Sequence, residues 1–181
     1  MSFPLETKRL ILRPFQESDL ESFAAYRSDP DVARFQSWAT PYSMEQAAAF
    51  IQELQQSRPG TPGDWDQVAL ELKATGQMIG DCAFYVLAEE PRQAEIGFTL
   101  AQSFQGYGYA REAVIRLLDY LFGELNLHRV RANCDVDNLG SIKLLESLGM
   151  RREGHFVQSL WFKGRWSSEY WYAILQAEWR L

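Results

Sequence analysis

Two glycines in the stretch SFQGYGYAREAV, Gly106 and Gly108, stand directly ahead of a segment in which Ala113, Val114, Leu117, Leu118, Leu121 and Phe122 recur at helical spacing. The first turn of a helix leaves about four backbone N–H groups unpaired and carries the positive end of the helix dipole. A strand-to-helix turn that side chains do not block is therefore an anion site, and Gly106 and Gly108 leave this one unblocked. Spacing alone keeps other uses open, because glycines also serve a tight turn and nothing more. They match the first two positions of G-x-G-x-x-G, but Arg111 takes the third, and a meander leads into the preceding strand. No Gly-Lys-Ser/Thr follows, which argues against a phosphate-binding P-loop.

Other reactive residue types are sparse. His128 and His155 read as residues that cap or pack at strand ends, and their spacing implies no Ser/His/Asp arrangement. Cys82 and Cys134 sit in apolar, strand-like stretches without C-x-x-C spacing or a histidine cluster, so both read as core residues and no metal site is expected. The net charge of −6 argues against a nucleic-acid partner, which requires a basic patch, and suits a cationic one. No apolar run approaches the roughly 20 residues of a spanning helix, and MSFPLETKRL has no hydrophobic signal core. A soluble, cytoplasmic protein with no membrane association is expected, as a single domain over residues 1–181.

The elements that must position these residues follow from period and punctuation. KRLILRP, Lys8 to Pro14, alternates and reads as a strand. ESDLESFAAYRSD reads as a helix opened by the capping-box spacing of Ser18 and Glu21. SMEQAAAFIQELQQS, Ser43 to Ser57, reads as a second helix with Ser43 as N-cap and Phe50, Ile51 and Leu54 on one face, followed by a long loop, SRPGTPGDW. DQVALELK, QMIGDCAFYVLA and AEIGFTLA then form an antiparallel meander. The glycine turn feeds a helix from Tyr109, and RVRANCD returns as a strand parallel to AEIGFTLA. NLGSIKLLESLG is a helix between Asn138 as N-cap and Gly149 as stop, and two long strands flank Lys163-Gly164. The sheet is mixed.

With these blocks in order, the chain resembles the GCN5-related N-acetyltransferase (GNAT) family, in its RimJ/RimL-like branch. QGYGYA, Gln105 to Ala110, resembles the Q/R-x-x-G-x-G/A acyl-CoA signature. LETKRLILRPFQESDLESF, AEIGFTL, VDNLGSIKLLESLGMRREG and KGRWSSEYWYAIL resemble other blocks of that branch and extend the likeness over nearly the whole chain. The resemblance implies a mixed α/β fold, a twisted sheet of about seven strands with flanking helices and acetyl-CoA between two splayed parallel strands. It further implies that the amides of Gln105, Gly106, Tyr107, Gly108, Tyr109, Ala110 and Arg111 cradle the diphosphate. The strand edge at Phe98, Thr99 and Leu100 would pair with the pantetheine arm and polarise the thioester carbonyl. Asn138 would bond the same arm besides capping its helix. Where many members carry a tyrosine that protonates the leaving thiolate, this chain has Leu145; Ser141 is the substitute, as a hydrogen-bond donor to the sulfur.

The implied reaction is attack by a primary amine. A lysine-like amine has a pKa near 10.4 and costs about 4–5 kcal/mol to hold unprotonated at pH 7, whereas an N-terminal amine near 7.7–8.0 costs about 1. A carboxylate should take the proton, directly or through water. Glu95, Asp81, Glu71 and Asp135 lie on the central strands, and Glu95 is expected to act because it lies beside the cofactor turn. It also reads equally as a solvated residue on the polar face of its strand. Aromatic residues of SLWFKGRWSSEYWYAILQAEW read as cross-strand packing, with Trp38 and Tyr42 as possible walls of an amine pocket. The first expectation for the acceptor is a protein N-terminal amine of the ribosomal-protein type. The alternatives are a small amine, polyamine or antibiotic, and a non-catalytic acyl-CoA-binding module. Either a monomer or a homodimer is compatible with the sequence.

Overall fold

The computed structural model describes residues 3–56 and 58–179. Ser57, expected to end the second helix, lies outside the described residues, as do Met1, Ser2, Arg180 and Leu181 of the expected domain. Eight strands form one mixed sheet: β1 (Leu5–Glu6), β2 (Leu10–Arg13), β3 (Trp65–Leu72), β4 (Gln77–Val86), β5 (Gln93–Leu100), β6 (Arg129–Asp135), β7 (Arg151–Phe162) and β8 (Arg165–Leu175). Their spatial order is β1-β2-β3-β4-β5-β6-β8-β7. One strand more than expected is present because Leu5 and Glu6 pair with Leu12 and Ile11. The helices are α1 (Leu20–Ser28), α2 (Pro30–Ala33), α3 (Met44–Leu54), α4 (Tyr109–Asp119) and α5 (Leu139–Ser147).

Two apolar cores hold the helices to opposite faces of the sheet. On one, Ala113, Val114, Leu117 and Leu118 of α4 and Leu145 of α5 pack with Ile79, Phe84 and Val130. On the other, Phe23 and Tyr26 of α1 and Ile51 of α3 pack with Ala69 and Met78. Cys82 and Cys134 are free and buried, as expected of core residues, and burial raises both thiols, Cys134 to about 11. No described helix is long and apolar enough to cross a membrane.

Local signals set most helix ends. Ser43 caps α3, accepting from the Gln46 N–H at 3.2 Å while the Gln46 side chain accepts from the Ser43 N–H at 2.8 Å. Entry into α1 differs from the expected Ser18–Glu21 box. Asp19 instead accepts from the Gln16 N–H at 2.8 Å, and its two oxygens also take Arg13 Nη1 and Nη2 at 2.7 and 2.8 Å. A buried arginine six residues upstream thus holds the carboxylate that also accepts from the Gln16 N–H, and the chain turns there.

The feature that makes a site is a ladder that stops early. Strands β5 and β6 pair in parallel only at Gln93–Glu95 with Arg129–Arg131. Beyond Glu95, β5 runs on to Leu100 bound only to β4, and β6 runs on to Asp135 bound only to β8. The two strands splay, and the edge of β5 from Ile96 onward is left for another partner. On its other side β5 is approached closely by β4: Gly80 lies opposite Leu100, where a Cβ would overlap the Thr99 carbonyl.

Candidate active site

Three cavities meet in the splay. The first, of about 380 Å³, is bounded by Phe98, Thr99 and Leu100 of β5, by Gln105 and Gly106, and by Asn138 and Ser141 at the start of α5. The second, about 330 Å³, lies between β5, β6 and β8 and carries Glu95, Asp135 and Glu169. The third, about 750 Å³, opens toward α1 and α3 and carries Arg27, Trp38, Glu53, Asp64 and Asp81. Phe98 borders all three, and Asn138 and Ser141 border the first two. They form one branched cleft.

The glycine turn lies beside the first cavity, and its backbone conformation explains its two glycines. Gly106 and Gly108 have φ of +84° and +80°, the left-handed region that L side chains rarely adopt. Within the chain itself a Cβ at Gly106 would meet nothing within 4 Å, so conformation and not clearance demands glycine there. Helix α4 makes its first backbone bond from the Glu112 N–H to the Gly108 carbonyl at 3.1 Å, which leaves the amides of Tyr109, Ala110 and Arg111 ahead of the helical ladder. Gln105 differs from its neighbours: its N–H donates to the Gln102 carbonyl at 3.1 Å, and its side-chain amide donates to the Leu100 carbonyl at 3.1 Å. It braces the turn from within. Tyr107 is exposed, and its ring lies 6.0 Å from that of Tyr109.

Asn138 caps α5, its side chain accepting from the Ser141 N–H at 3.1 Å. Helical spacing then presents Ser141 and Leu144 to the first cavity, while Leu145 is 1% exposed in the core. The α5 position facing the cleft one turn after Ser141 is therefore Leu144 and not Leu145. No tyrosine comes from this helix in either register.

Carboxylates define the opposite end. Glu95 is engaged through both oxygens, with Arg131 Nε at 3.0 Å and Asn133 Nδ2 at 3.3 Å. Asp135 faces Arg165 at 3.4 Å. Glu169, paired in register with Asp135 across β6 and β8, has among the described residues the Ser159 hydroxyl as its side-chain partner, at 3.5 Å. Burial, with Asp135 and Glu95 adding to it, raises the Glu169 pKa above its ordinary 4.5. Of the other sequence candidates, Asp81 is buried beside the third cavity and accepts from Tyr26 and, at 2.7 Å, from Gln67; burial raises its pKa. Glu71 is tied to Arg13 at 2.6 Å and borders none of the three cavities. His128 and His155 are exposed and also border none of them. Trp38 reaches the third cavity, whereas Tyr42 packs against Phe23 at 5.9 Å. Trp161 and Trp166 pair across the hairpin at 5.4 Å.

Sequence reasoning missed Glu169, Asn133 and Trp65 in the second cavity and Phe35 and Gln36 over the first. A readable signal for Glu169 exists: alternation along RWSSEYWY puts Ser167 and Glu169 on one face. Its partner Asp135 becomes apparent only once β8 is seen to insert between β6 and β7.

Known proteins supply the context for this cleft. The acetyltransferase (GNAT) domain family model matches residues 9–151. An uncharacterised N-acetyltransferase, p20, of Bacillus licheniformis is 35% identical over 175 residues, covering 96% of this chain and 97% of the relative. The crystal structure of a GNAT-family acetyltransferase from Bacillus anthracis superposes with a TM-score of 0.85 at 30% identity, over 97% of this chain and all of that one. A spermidine N-acetyltransferase from Vibrio cholerae, solved in complex with CoA and spermine, gives a TM-score of 0.80 at 25% identity over 95% of this chain and 98% of that one. The notched sheet, the glycine turn and these matches agree, and this chain belongs to the GNAT family of N-acetyltransferases.

Proposed function

We propose that the enzyme moves an acetyl group from acetyl-CoA to a primary amine of a small cationic acceptor. Bound acetyl-CoA supplies the acetyl group already activated as a thioester. The first cavity and the turn that continues from its edge at Gly106 fit that molecule: left-handed glycines and amides ahead of the helical ladder suit its diphosphate. An unpaired strand edge at Phe98, Thr99 and Leu100 suits its amide-bearing arm. The cradle runs from Gly106 through Tyr107, Gly108, Tyr109 and Ala110 to Arg111, with Gln105 as its brace because its own N–H is already used. Asn138 and Ser141 line the way to the acceptor side, and the Ser141 hydroxyl donates a hydrogen bond to the leaving sulfur.

The proton of the attacking amine goes to Glu169. Both oxygens of Glu95, the residue expected from sequence, are held by Arg131 and Asn133, so Glu95 orients Arg131 and adds negative field. Among the described residues Glu169 has no cationic partner in the same cavity, and it holds its proton to higher pH than an ordinary glutamate, a shift in the direction that favours a general base. One observation carries the acceptor class. The second and third cavities together present Glu95, Asp135, Glu169, Glu53, Asp64 and Asp81, set against Arg27 and against Arg131 and Arg165, the partners of Glu95 and Asp135. Such a surface attracts polycations.

A protein N-terminal amine is the second reading, favoured by exposed Leu160, Trp161 and Trp166 on the hairpin, Leu160 also lining the second cavity. Measuring CoA release with acetyl-CoA and either spermidine, short diamines or N-terminal peptides separates the two. Turnover with the polyamines supports the first reading, and turnover restricted to peptides replaces it with the second.

A further inference from the structure

The glycine turn is held from behind by an arginine that nothing above assigns to the site. Arg9, in the turn between β1 and β2, donates from Nη1 to the Tyr107 carbonyl at 3.0 Å, across 98 residues of sequence. Its Nε meets Glu112 at 2.6 Å, and its guanidinium lies 4.4 Å from the centroid of the Tyr109 ring. Glu112, on the first turn of α4, also accepts from the Thr7 hydroxyl at 2.6 Å and the Arg9 N–H at 2.8 Å. Burial alone would raise this carboxyl, but these donors and the Arg9 charge outweigh it and keep the pKa below the ordinary value. Glu112 therefore stays ionised at neutral pH.

Tyr107 is flanked by glycines on both sides, so its carbonyl has little intrinsic reason to point anywhere in particular. In a trans peptide the carbonyl and the following N–H lie in one plane and point in opposite directions across the C–N bond. Fixing the Tyr107 oxygen on Arg9 therefore turns the Gly108 N–H to the other side of the turn. A charged donor on that carbonyl also polarises the peptide and strengthens its N–H as a donor. The geometry points to Arg9 as a positioning residue for CoA: through the Tyr107–Gly108 peptide it aims and strengthens an amide that receives the diphosphate. This inference rests on the diphosphate cradle proposed above.

Two ligands separate the roles: CoA, which carries the diphosphate, and acetyl-pantetheine, which carries the thioester arm without it. In Arg9→Met, calorimetry should show CoA binding weakened at least tenfold, while acetyl-pantetheine turnover with the same amine stays within twofold of the wild type. Unchanged CoA affinity overturns the inference. So does an equal fall in acetyl-pantetheine turnover, because Arg9 would then serve the fold at large. If Arg9→Met does not fold, Arg9→Lys is measured with the same ligands; one ammonium cannot hold Glu112 and the Tyr107 carbonyl in Arg9's forked geometry, so the same selective loss is expected. Should the wild-type enzyme itself handle acetyl-pantetheine as well as acetyl-CoA, the cradle fails and this inference with it, whereas retained preference in the variant sinks the inference alone.

Discussion

Replacing Glu169 by Gln should slow catalysis and stabilise the fold at the same pH. A positioned general base contributes typically 10²–10⁴-fold, equivalent to about 2.7–5.5 kcal/mol of activation free energy. The demand on the base depends on the acceptor, since an alkylammonium costs about 4–5 kcal/mol to deprotonate at pH 7. For a spermidine-like acceptor the upper part of the range applies. Initial rates of CoA release at saturating acetyl-CoA, followed from pH 6 to 10, are the assay. Glu169→Gln should lose at least 10²-fold at pH 7, and the defect should shrink toward pH 10 as the free amine becomes abundant without help. Glu95→Gln should lose under tenfold, because Glu95 already has both oxygens engaged. Stability moves the other way. Unfolded Glu169 ionises near 4.5, and folding raises that value, so its ionisation penalises the folded state progressively as pH rises above 4.5. The variant should therefore melt higher than the wild type at pH 7 and at the same temperature at pH 4. An unchanged rate at pH 7, or a defect that stays constant to pH 10, refutes the assignment.

Gly108→Val forces a β-branched residue to φ +80° and sets its Cβ 3.6 Å from Arg9 Nη2, so the turn cannot keep its present backbone. CoA binding by calorimetry should be abolished while cooperative unfolding persists; undiminished affinity would show that the turn does not hold the phosphates. Asp66, 1% exposed with one oxygen unpartnered, accepts from the Gly60 N–H at 2.6 Å, and burial, with Asp64 adding to it, lifts its pKa from 3.8 to about 6. A raised acid penalises the fold above pH 6 and not below 3.8, so Asp66→Asn should gain on the order of 2–3 kcal/mol in denaturant unfolding at pH 8 and nothing near pH 3.5. Equal effects at both pH values would rule this out. Ser141→Ala should lower kcat about tenfold, as loss of one hydrogen bond worth roughly 1.5 kcal/mol predicts; an unchanged kcat would remove Ser141 from the chemistry.

Legibility in the sequence follows the range of the forces involved. Helix α4 begins at Tyr109 and α5 is capped by Asn138, as read from glycine, periodicity and side-chain capping, because those signals act within a few residues. The meander and the parallel return of β6 were equally readable from short links and a helical crossover. Where a distant partner decides, local reading goes astray. Arg13 draws Asp19 into the start of α1, overriding the Ser18–Glu21 spacing. At the site, the first cavity gathers Phe98, Thr99, Leu100, Gln105, Gly106, Asn138 and Ser141, a set the family resemblance names and local spacing alone does not. Glu169 against Asp135, and Arg9 against Tyr107, exist only through strand order and a β1–β2 turn that meets α4. No window of sequence contains both members of either pair.

The most direct test is a crystal structure with CoA. The account predicts diphosphate oxygens within hydrogen-bonding distance of the backbone amides between Gly106 and Arg111, with the thiol directed past Ser141 toward Glu169. Phosphates bound anywhere else on the protein would contradict it.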